Sequence, residues 1–437
     1  MIKTSSRRLK ILITAHEISP VVGSECSSGW NIITRLGKFH DITVLFAETN
    51  QFGTNNYREQ IDSFISDNGI VSGVEFIPIK QPPVTNLIAW FNKRLSDKKT
   101  SVGLSLLYFS GVKFWEKSLY RFAIKLLKER DFDVLHHFNH ISFREPGFLW
   151  KIDKPFVWGP TSGLSRVPVS FLHSMPIREV FYNLLRNFLN RFQIIINRRI
   201  SKAIDNSDII YFVTSDDGKF FLRKGKRVQN LLDMGAYEVS IRKNRLPQEI
   251  TIKVLWIGRF SFLKALDILL KAIEASEILK KNIELHIIGD GPQKDYYQKM
   301  ASDLGLNNIT WHGHIPKNVV FKIMKESDIL VHTSIKEAAS AVILESISAG
   351  LPIICHDSFG MSFAINESCG IKVPFHSPKE SVAGFKDALE TICNNPELIN
   401  KLSNGAIKRA KELSWDSVAE KIASDYATIV KHDTADS

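Results

Sequence analysis

Along the chain, short runs of β-branched and aliphatic residues alternate with stretches whose apolar positions recur every three or four residues. The runs predict strands at 10–14, 41–47, 74–78, 134–137, 156–159 and 209–213 in the first half. In the second half they fall at 253–258, 284–289, 309–312, 329–333, 352–355 and 371–373. Helical period marks 265–279, 318–326 and a last helix near 414–430. Short, near-continuously apolar strands alternating with helices predict parallel sheets covered on both faces. The expected architecture is α/β, with two doubly wound Rossmann-like domains at 1–245 and 246–415 and the polar, proline-containing stretch 242–249 as their joint. A closing helix and frayed tail at 416–437 should pack back on the first domain. In such sheets ligands sit outside the carboxyl ends of the strands, so the loops after the strands should carry the function.

Composition narrows the class. At 437 residues the chain exceeds the roughly 250–300 that one core organises. With 44% hydrophobic and 24% charged residues, and a mean hydropathy of −0.06, it is neither disordered nor collagen-like. The longest uncharged apolar run, 101–112, falls short of the roughly 18 residues a membrane span needs. The basic start meets His16 and Glu17 too early for a signal peptide. Cys26, Cys355, Cys369 and Cys393 lack metal or disulfide spacing, which predicts a reducing cytoplasm. Residues 1–250 carry 36 Lys and Arg against 23 acidic residues, a net +13, and residues 251–437 carry 21 against 23. A basic half suits phosphates or lipid headgroups, and equally a solvated basic surface. No nucleic-acid-binding module accompanies it, so no nucleic-acid partner is expected.

Three loops after strands of the second half share a theme. Gly258-Arg259 follows the first, with Lys264 at a helix start; two cations beside helix N-terminal amides suit a diphosphate. Gly289-Asp290-Gly291-Pro292 follows the second. After the fourth come Lys336-Glu337-Ala338-Ala339-Ser340-Ala341, then Glu345 two turns into a helix and Ala349-Gly350-Leu351-Pro352. Singly these read equally as a surface arginine, a turn and helix charges. Together they suit an extended ligand bearing phosphates.

This order, with His312-Gly313-His314-Ile315-Pro316 between, resembles the nucleotide-sugar domain of the family 4 retaining glycosyltransferases, the glycosyl transferases group 1, which have the GT-B fold. The resemblance is close over about 250–430 and looser over 8–240. It implies that Arg259 and Lys264 hold the donor diphosphate beside Gly258, Gly289 and Gly291. Glu337 would contact hydroxyls of the transferred sugar, with Ala339, Ser340 and Ala341 at the helix start, while Glu345 meets the ribose and His314 and Ile315 the base. One departure stands out: the family's Gly-Phe-Gly reads Ala338-Ala339-Ser340 here.

In the first half, Gly23 and Ser24 lie in a loop similar to the family's glycine-bearing first loop. The cluster His136-His137-Phe138-Asn139-His140 ends a strand, and the resemblance implies that one histidine meets the sugar or the acceptor hydroxyl. His137 is the first choice and His140 the reserve, since Phe138 occupies the usual second position. Asp131-Phe132-Asp133 precedes its strand and is read as structural, so no metal and no cofactor beyond the donor are expected. Trp158-Gly159-Pro160-Thr161-Ser162-Gly163 is similar to a loop of a polysaccharide-biosynthesis branch and implies acceptor contacts from Gly159, Thr161 and Ser162. Residues 177–192 form a basic amphipathic pattern, as do 90–130 more loosely; both suit an anionic membrane surface or a helix covering its own core.

The resemblance thus implies a retaining, metal-independent hexosyltransferase that moves sugar from a nucleotide diphosphate sugar to a glycan acceptor. That acceptor would be lipid-linked, in cell-surface polysaccharide biosynthesis at the inner face of the membrane. A GT-B nucleotide-sugar epimerase and a catalytically silent sugar-nucleotide-binding or scaffold protein are the rival readings.

Overall fold

Two parallel sheets organise the computed structural model, which describes residues 7–23, 25–95, 104–172, 175–224, 227–239 and 251–433. The first sheet contains β1 (Lys10–Ala15), β2 (Asp41–Ala47), β3 (Val74–Ile79), β4 (Val134–Asn139), β5 (Phe156–Thr161), β6 (Ile209–Phe212) and β7 (Val228–Asn230). The second contains β8 (Ile252–Ile257), β9 (Ile283–Ile288), β10 (Ile309–Gly313), β11 (Ile329–His332), β12 (Ile353–His356) and β13 (Gly370–Val373). All twelve expected strands are present. β7 is additional: three half-buried residues at a sheet edge leave no apolar run to read. The stretch expected as one helix at 265–279 divides into Leu266–Glu274 and Glu277–Asn282, because Ser276 breaks the run and caps the second helix through Leu279 N. The expected joint at 242–249 lies outside the described residues.

The strand orders are β3-β2-β1-β4-β5-β6-β7 and β10-β9-β8-β11-β12-β13. In each sheet the order reverses once, between β1 and β4 and between β8 and β11. A crevice opens at that switch point, because consecutive helices leave it toward opposite faces. The loops after β1, β4, β8 and β11 therefore border the two crevices, and these are the loops richest in polar sequence signals.

The lobes are tied together at several places. The segment carrying Val167, Phe171 and Leu172, from the first half of the chain, is buried in the core of the second sheet. The last helix, Trp415–Asp433, returns to the first lobe, where Trp415, Ile422 and Tyr426 are buried with β1, β2 and β4. Polar groups fix its register: Tyr211 donates to Asp425 at 2.8 Å, and the His40 imidazole meets the Ala423 carbonyl at 3.1 Å. No helix among the described residues is long and apolar enough to cross a membrane.

Candidate active site

The switch point of the second sheet gathers Lys264 and Glu337. Lys264 ends a single 3-10 turn, Phe262–Lys264, after β8, and Glu337 lies in the loop after β11. The two loops are joined by one backbone and one side-chain hydrogen bond: Ile335 N donates to Leu263 O at 2.9 Å, and Thr333 Oγ1 donates to Lys264 O at 2.8 Å. Together they hold Ala265 at φ 47°, a left-handed conformation that costs a residue bearing Cβ about 1–3 kcal/mol. The Lys264 ammonium is thereby delivered onto the Glu337 carboxylate as a direct ion pair. Ser334 Oγ donates to the same carboxylate oxygen at 3.2 Å, and His332 Nε2 faces it at 3.6 Å. Burial alone would raise the Glu337 pKa; His332 and the Lys264 charge outweigh it and carry the group down to about 2. The carboxylate is thus held in its ionised form, and without a ligand its partner is the Lys264 ammonium.

Arg259 stands in the same post-β8 loop as Lys264, five residues before it. It is exposed, has no hydrogen bond or ion pair among the described residues, and stands in the β8 loop one residue before Phe260. Phe260 N donates to Asp290 O at 3.0 Å, which pins the β8 loop to the Gly289–Pro292 turn. The glycines of that turn are explained by this contact. A Cβ on Gly289 (φ 143°) would lie 1.9 Å from Gly258 O, and one on Gly291 would lie 2.5 Å from Phe260 O. Their absent side chains let two backbone segments touch, so they shape the site from behind the loop that carries Arg259.

Farther along the cleft, Glu345 projects from the helix Ala341–Ser348 and pairs with Lys317 Nζ at 3.0 Å. Lys317 also lies 4.8 Å above the Tyr237 ring. His314 is exposed at the turn after β10, and Ile315 is half-buried against the core beneath it. Ser340 is buried and precedes the helix, with Ala339 and Ala341 half-buried beside it. Gly360 presses on this loop, its N–H donating to Ala338 O at 3.1 Å.

In the first lobe, a pocket of about 380 Å³ opens at the β1/β4 switch point, bordered by Glu17, Glu25, Tyr108, His140, Arg144 and Ser162. His140 Nδ1 lies 3.4 Å from Glu25 Oε2. Burial would lower its pKa, but Glu25, Glu17 and Glu116 more than compensate, and the group rises to about 8. Beside it His16 is fully buried and held well below the usual imidazole range by burial and by His140. Tyr108 donates to Glu17 Oε1 at 3.0 Å.

The structure corrects the choice among the histidines. His137 is buried with both nitrogens engaged: Nε2 donates to Glu145 O at 2.9 Å, which leaves Nδ1 to accept from Thr14 Oγ1 at 2.9 Å. His136 is spent likewise on Gly159 O and Tyr426. Neither can reach a ligand without breaking core bonds; His140, the reserve, lines the pocket. Gly159 and Thr161 are also corrected. They are buried inside β5, where Gly159 gives room to Tyr211 O, 2.4 Å from where its Cβ would stand. Ser162 does border the pocket, joined by Gly163. Gly23 is exposed with open space around it, and Ser24 lies outside the described residues.

Sequence reasoning left out Asp233, which links the two crevices. It follows β7, and its carbonyl accepts from Ser28 Oγ in the helix Glu25–Leu36 of the first lobe. Its carboxyl faces the Ala339 N–H of the second lobe. Burial first, then the charges of Glu25 and Glu337, raise it to about 7. By touching Ser28 in the helix that begins at Glu25 and Ala339 in the loop that carries Glu337, Asp233 lies between the His140 pocket and the Lys264 crevice. The two crevices therefore share one cleft. The signal in the chain, an aspartate after a short edge strand, was hidden because that strand has no apolar run.

Metal-ligand geometry occurs among the described residues at His16, Glu17 and His140, whose ligand atoms lie within 4.8 Å of one another. Burial raises the pKa of the Glu17 carboxyl, and the surrounding carboxylates raise that of His140. Asp131 and Asp133 sit at the amino end of β4, where Asp133 accepts from Lys10 N at 2.7 Å and Asp131 pairs with Lys154.

Residues 239–409, which hold Arg259, Lys264, Glu337 and Glu345, match the family described as "Glycosyl transferases group 1". This stretch is a glycosyl transferases group 1 domain. A D-inositol 3-phosphate glycosyltransferase of Thermomonospora curvata is 26% identical over 212 residues, 46% of this chain and 48% of the relative. One of Corynebacterium glutamicum is 27% identical over 209 residues, 46% and 49% of the two chains. The chain spans about half the length of the curated relatives it matches. Solved structures extend the likeness beyond the group 1 domain to both lobes. Sucrose-phosphate synthase from Thermosynechococcus elongatus aligns over 97% of this chain and 100% of its own, with TM-score 0.62 and 14% identity. TarM aligns over 96% and 98%, with TM-score 0.60 and 13% identity. Anabaena HepE, solved in complex with UDP, aligns over 96% and 100%, with TM-score 0.58 and 14% identity. The fold is GT-B.

Proposed function

We propose that the protein is a retaining glycosyltransferase that moves a sugar from a nucleoside diphosphate sugar to a hydroxyl of a lipid-linked glycan, without a metal ion or further cofactor. The observation that carries this reading is the Lys264–Glu337 pair at the β8/β11 switch point, within a group 1 domain and across one cleft from His140. The UDP held by the HepE neighbour supports a nucleotide as part of the ligand.

In this reading Lys264 and Arg259 take the diphosphate, and Glu337 turns from Lys264 to the sugar hydroxyls. The bond from the anomeric carbon to the diphosphate oxygen breaks while the acceptor oxygen attacks from the same face, and the acceptor proton leaves with the diphosphate. The barrier lies in an oxocarbenium-like carbon and a departing anion, so fixed cations and placement dominate. His140, cationic and tied to Glu25, positions the sugar or acceptor. Glu345 exchanges Lys317 for the ribose. Asp233 joins the lobes where closure would exclude water.

Attachment to the inner membrane face is part of the proposal. The helix Ile177–Ile196 exposes Ile177, Phe181 and Phe188, and the helix Pro83–Leu95 exposes Trp90 and Phe91, with Arg94 stacked 3.7 Å over Trp90. Exposed aromatics beside arginines suit a headgroup surface. Sedimentation with anionic vesicles at low salt should carry the protein down; a protein that stays wholly in the supernatant would remove the attachment.

The test of the function is a panel of nucleoside diphosphate sugars. One of them should raise the melting temperature, and with a glycan acceptor the product should keep the donor's anomeric configuration by NMR. An altered sugar nucleotide released without acceptor would replace transfer by epimerisation; binding with no turnover on any acceptor would leave a silent binding protein.

A further inference from the structure

Next to the His140 pocket a second groove, about 540 Å³, opens between the helices Ser105–Glu129 and Ile177–Ile196. Leu106, Phe109, Leu185 and Leu189 form its apolar walls. Four cations converge on it: Lys113, Arg144, Arg186 and Arg199. The acid lining the groove, Glu145, is already committed to Arg199 at 2.5 Å.

The remaining charge is not neutralised. Arg144 is held by neutral groups, donating to Gln193 Oε1 at 2.9 Å and to Asn190 Oδ1. Arg186 has no hydrogen bond or ion pair among the described residues, and Arg199 keeps Nε and Nη1 buried without an acceptor. Burial lowers the pKa of both Arg144 and Arg186, and the Arg186 charge lowers Arg144 further, to about 10. Cations drawn partly out of water beside one another, with donors unmet, are an arrangement that an anion relieves. The guanidinium fork matches phosphate oxygens in particular.

Position narrows the anion further. Arg144 and Phe109 border both this groove and the His140 pocket, so a phosphate here would lie one step from an acceptor hydroxyl there. At the outer end the Leu185–Leu189 wall continues on the same helix to Phe181 and Phe188, which are 68% and 65% exposed.

Resting on the proposed transfer to a lipid-linked glycan, we propose that this groove is the acceptor's lipid-phosphate subsite. Arg144 and Arg186 take the phosphate or diphosphate oxygens, and the hydrocarbon chain runs along Leu185 and Leu189 toward Phe181 and Phe188.

The test compares farnesyl diphosphate, inorganic pyrophosphate and farnesol as ligands of the full-length protein by calorimetry. The wild type should bind farnesyl diphosphate at least ten-fold more tightly than either part alone. Arg186→Gln combined with Arg144→Gln should weaken it a further ten-fold or more, while Arg186→Lys should fall between. The melting temperature of each variant, with and without nucleotide sugar, is read in parallel. A variant that melts like the wild type, is still stabilised by nucleotide sugar and loses farnesyl diphosphate supports the subsite. Equal farnesyl diphosphate affinity in wild type and double variant would overturn it. Pyrophosphate binding as tightly as farnesyl diphosphate would overturn the lipid assignment in favour of free phosphate. If no nucleotide sugar stabilises the wild type, the transfer reading fails separately, and farnesyl diphosphate affinity still decides the groove.

Discussion

Lys264 and Glu337, 73 residues apart in sequence, meet as an ion pair between the loops that follow β8 and β11. Each is positioned by hydrogen bonds between those loops, and the Lys264 charge helps hold the Glu337 carboxylate ionised. In the proposed reaction the pair separates onto the two halves of one donor, the cation to the diphosphate and the carboxylate to the sugar. Removing a fixed charge that acts on a developing anion typically costs about 10²–10³ in turnover. Lys264→Ala should lose that much in kcat while keeping its circular dichroism spectrum. Near-wild-type turnover would remove Lys264 from the leaving group.

The Gly289 turn gives a packing prediction. A methyl group at Gly289 would collide with the Gly258 carbonyl at 1.9 Å, backbone against backbone, at a φ of 143°. Gly289→Ala should destabilise the protein by about 2–4 kcal/mol in denaturant titration and weaken donor binding with it. Gly23→Ala, with nothing within 4 Å of its Cβ, should leave stability unchanged. Equal stability of Gly289→Ala and wild type would contradict the close approach.

His140 predicts a pH dependence with a definite sign. Its folded pKa, about 8, lies above the usual 6.5, so its contribution is full below pH 6.5 and lost as pH rises through 8. The shift corresponds to about 2 kcal/mol. The stability difference between wild type and His140→Gln should shrink by about that amount between pH 6 and pH 9. A difference constant across that range would show that the Glu25 and Glu17 charges do not hold the imidazolium. His137→Ala should instead destabilise at every pH, because it strands the Glu145 carbonyl and the Thr14 hydroxyl in the core.

The metal expectation is tested by chelation. Activity should survive exhaustive treatment with EDTA within about two-fold, since Lys264, Arg259 and the helix start supply the positive charge in this mechanism. Loss of activity that a divalent ion restores would turn attention to His16, Glu17 and His140.

Much of the fold was legible because parallel strands buried on both faces leave short apolar runs, and twelve of these stood out in the chain. The meeting of Lys264 and Glu337 was legible because a motif order placed both loops around one type of ligand. What escaped depends on contacts that sequence spacing does not encode. Three histidines ending one strand look alike in sequence, yet the pleat and the turn after β4 send His136 and His137 into the core and only His140 to the pocket. Gly159 and Thr161 read as a loop but belong to β5. Asp233 and Lys317 owe their importance to partners on other elements, Ala339 and Glu345, more than a hundred and nearly thirty positions away respectively.

In the proposed mechanism Lys264 and Arg259 grip a nucleoside diphosphate beside Glu337. Calorimetric titration of the nucleoside diphosphate from the best stabilising donor, into wild type and Lys264→Ala, tests it most directly. The wild type should bind saturably, and the folded variant should bind at least 100-fold more weakly. Equal affinity in the two proteins would contradict it.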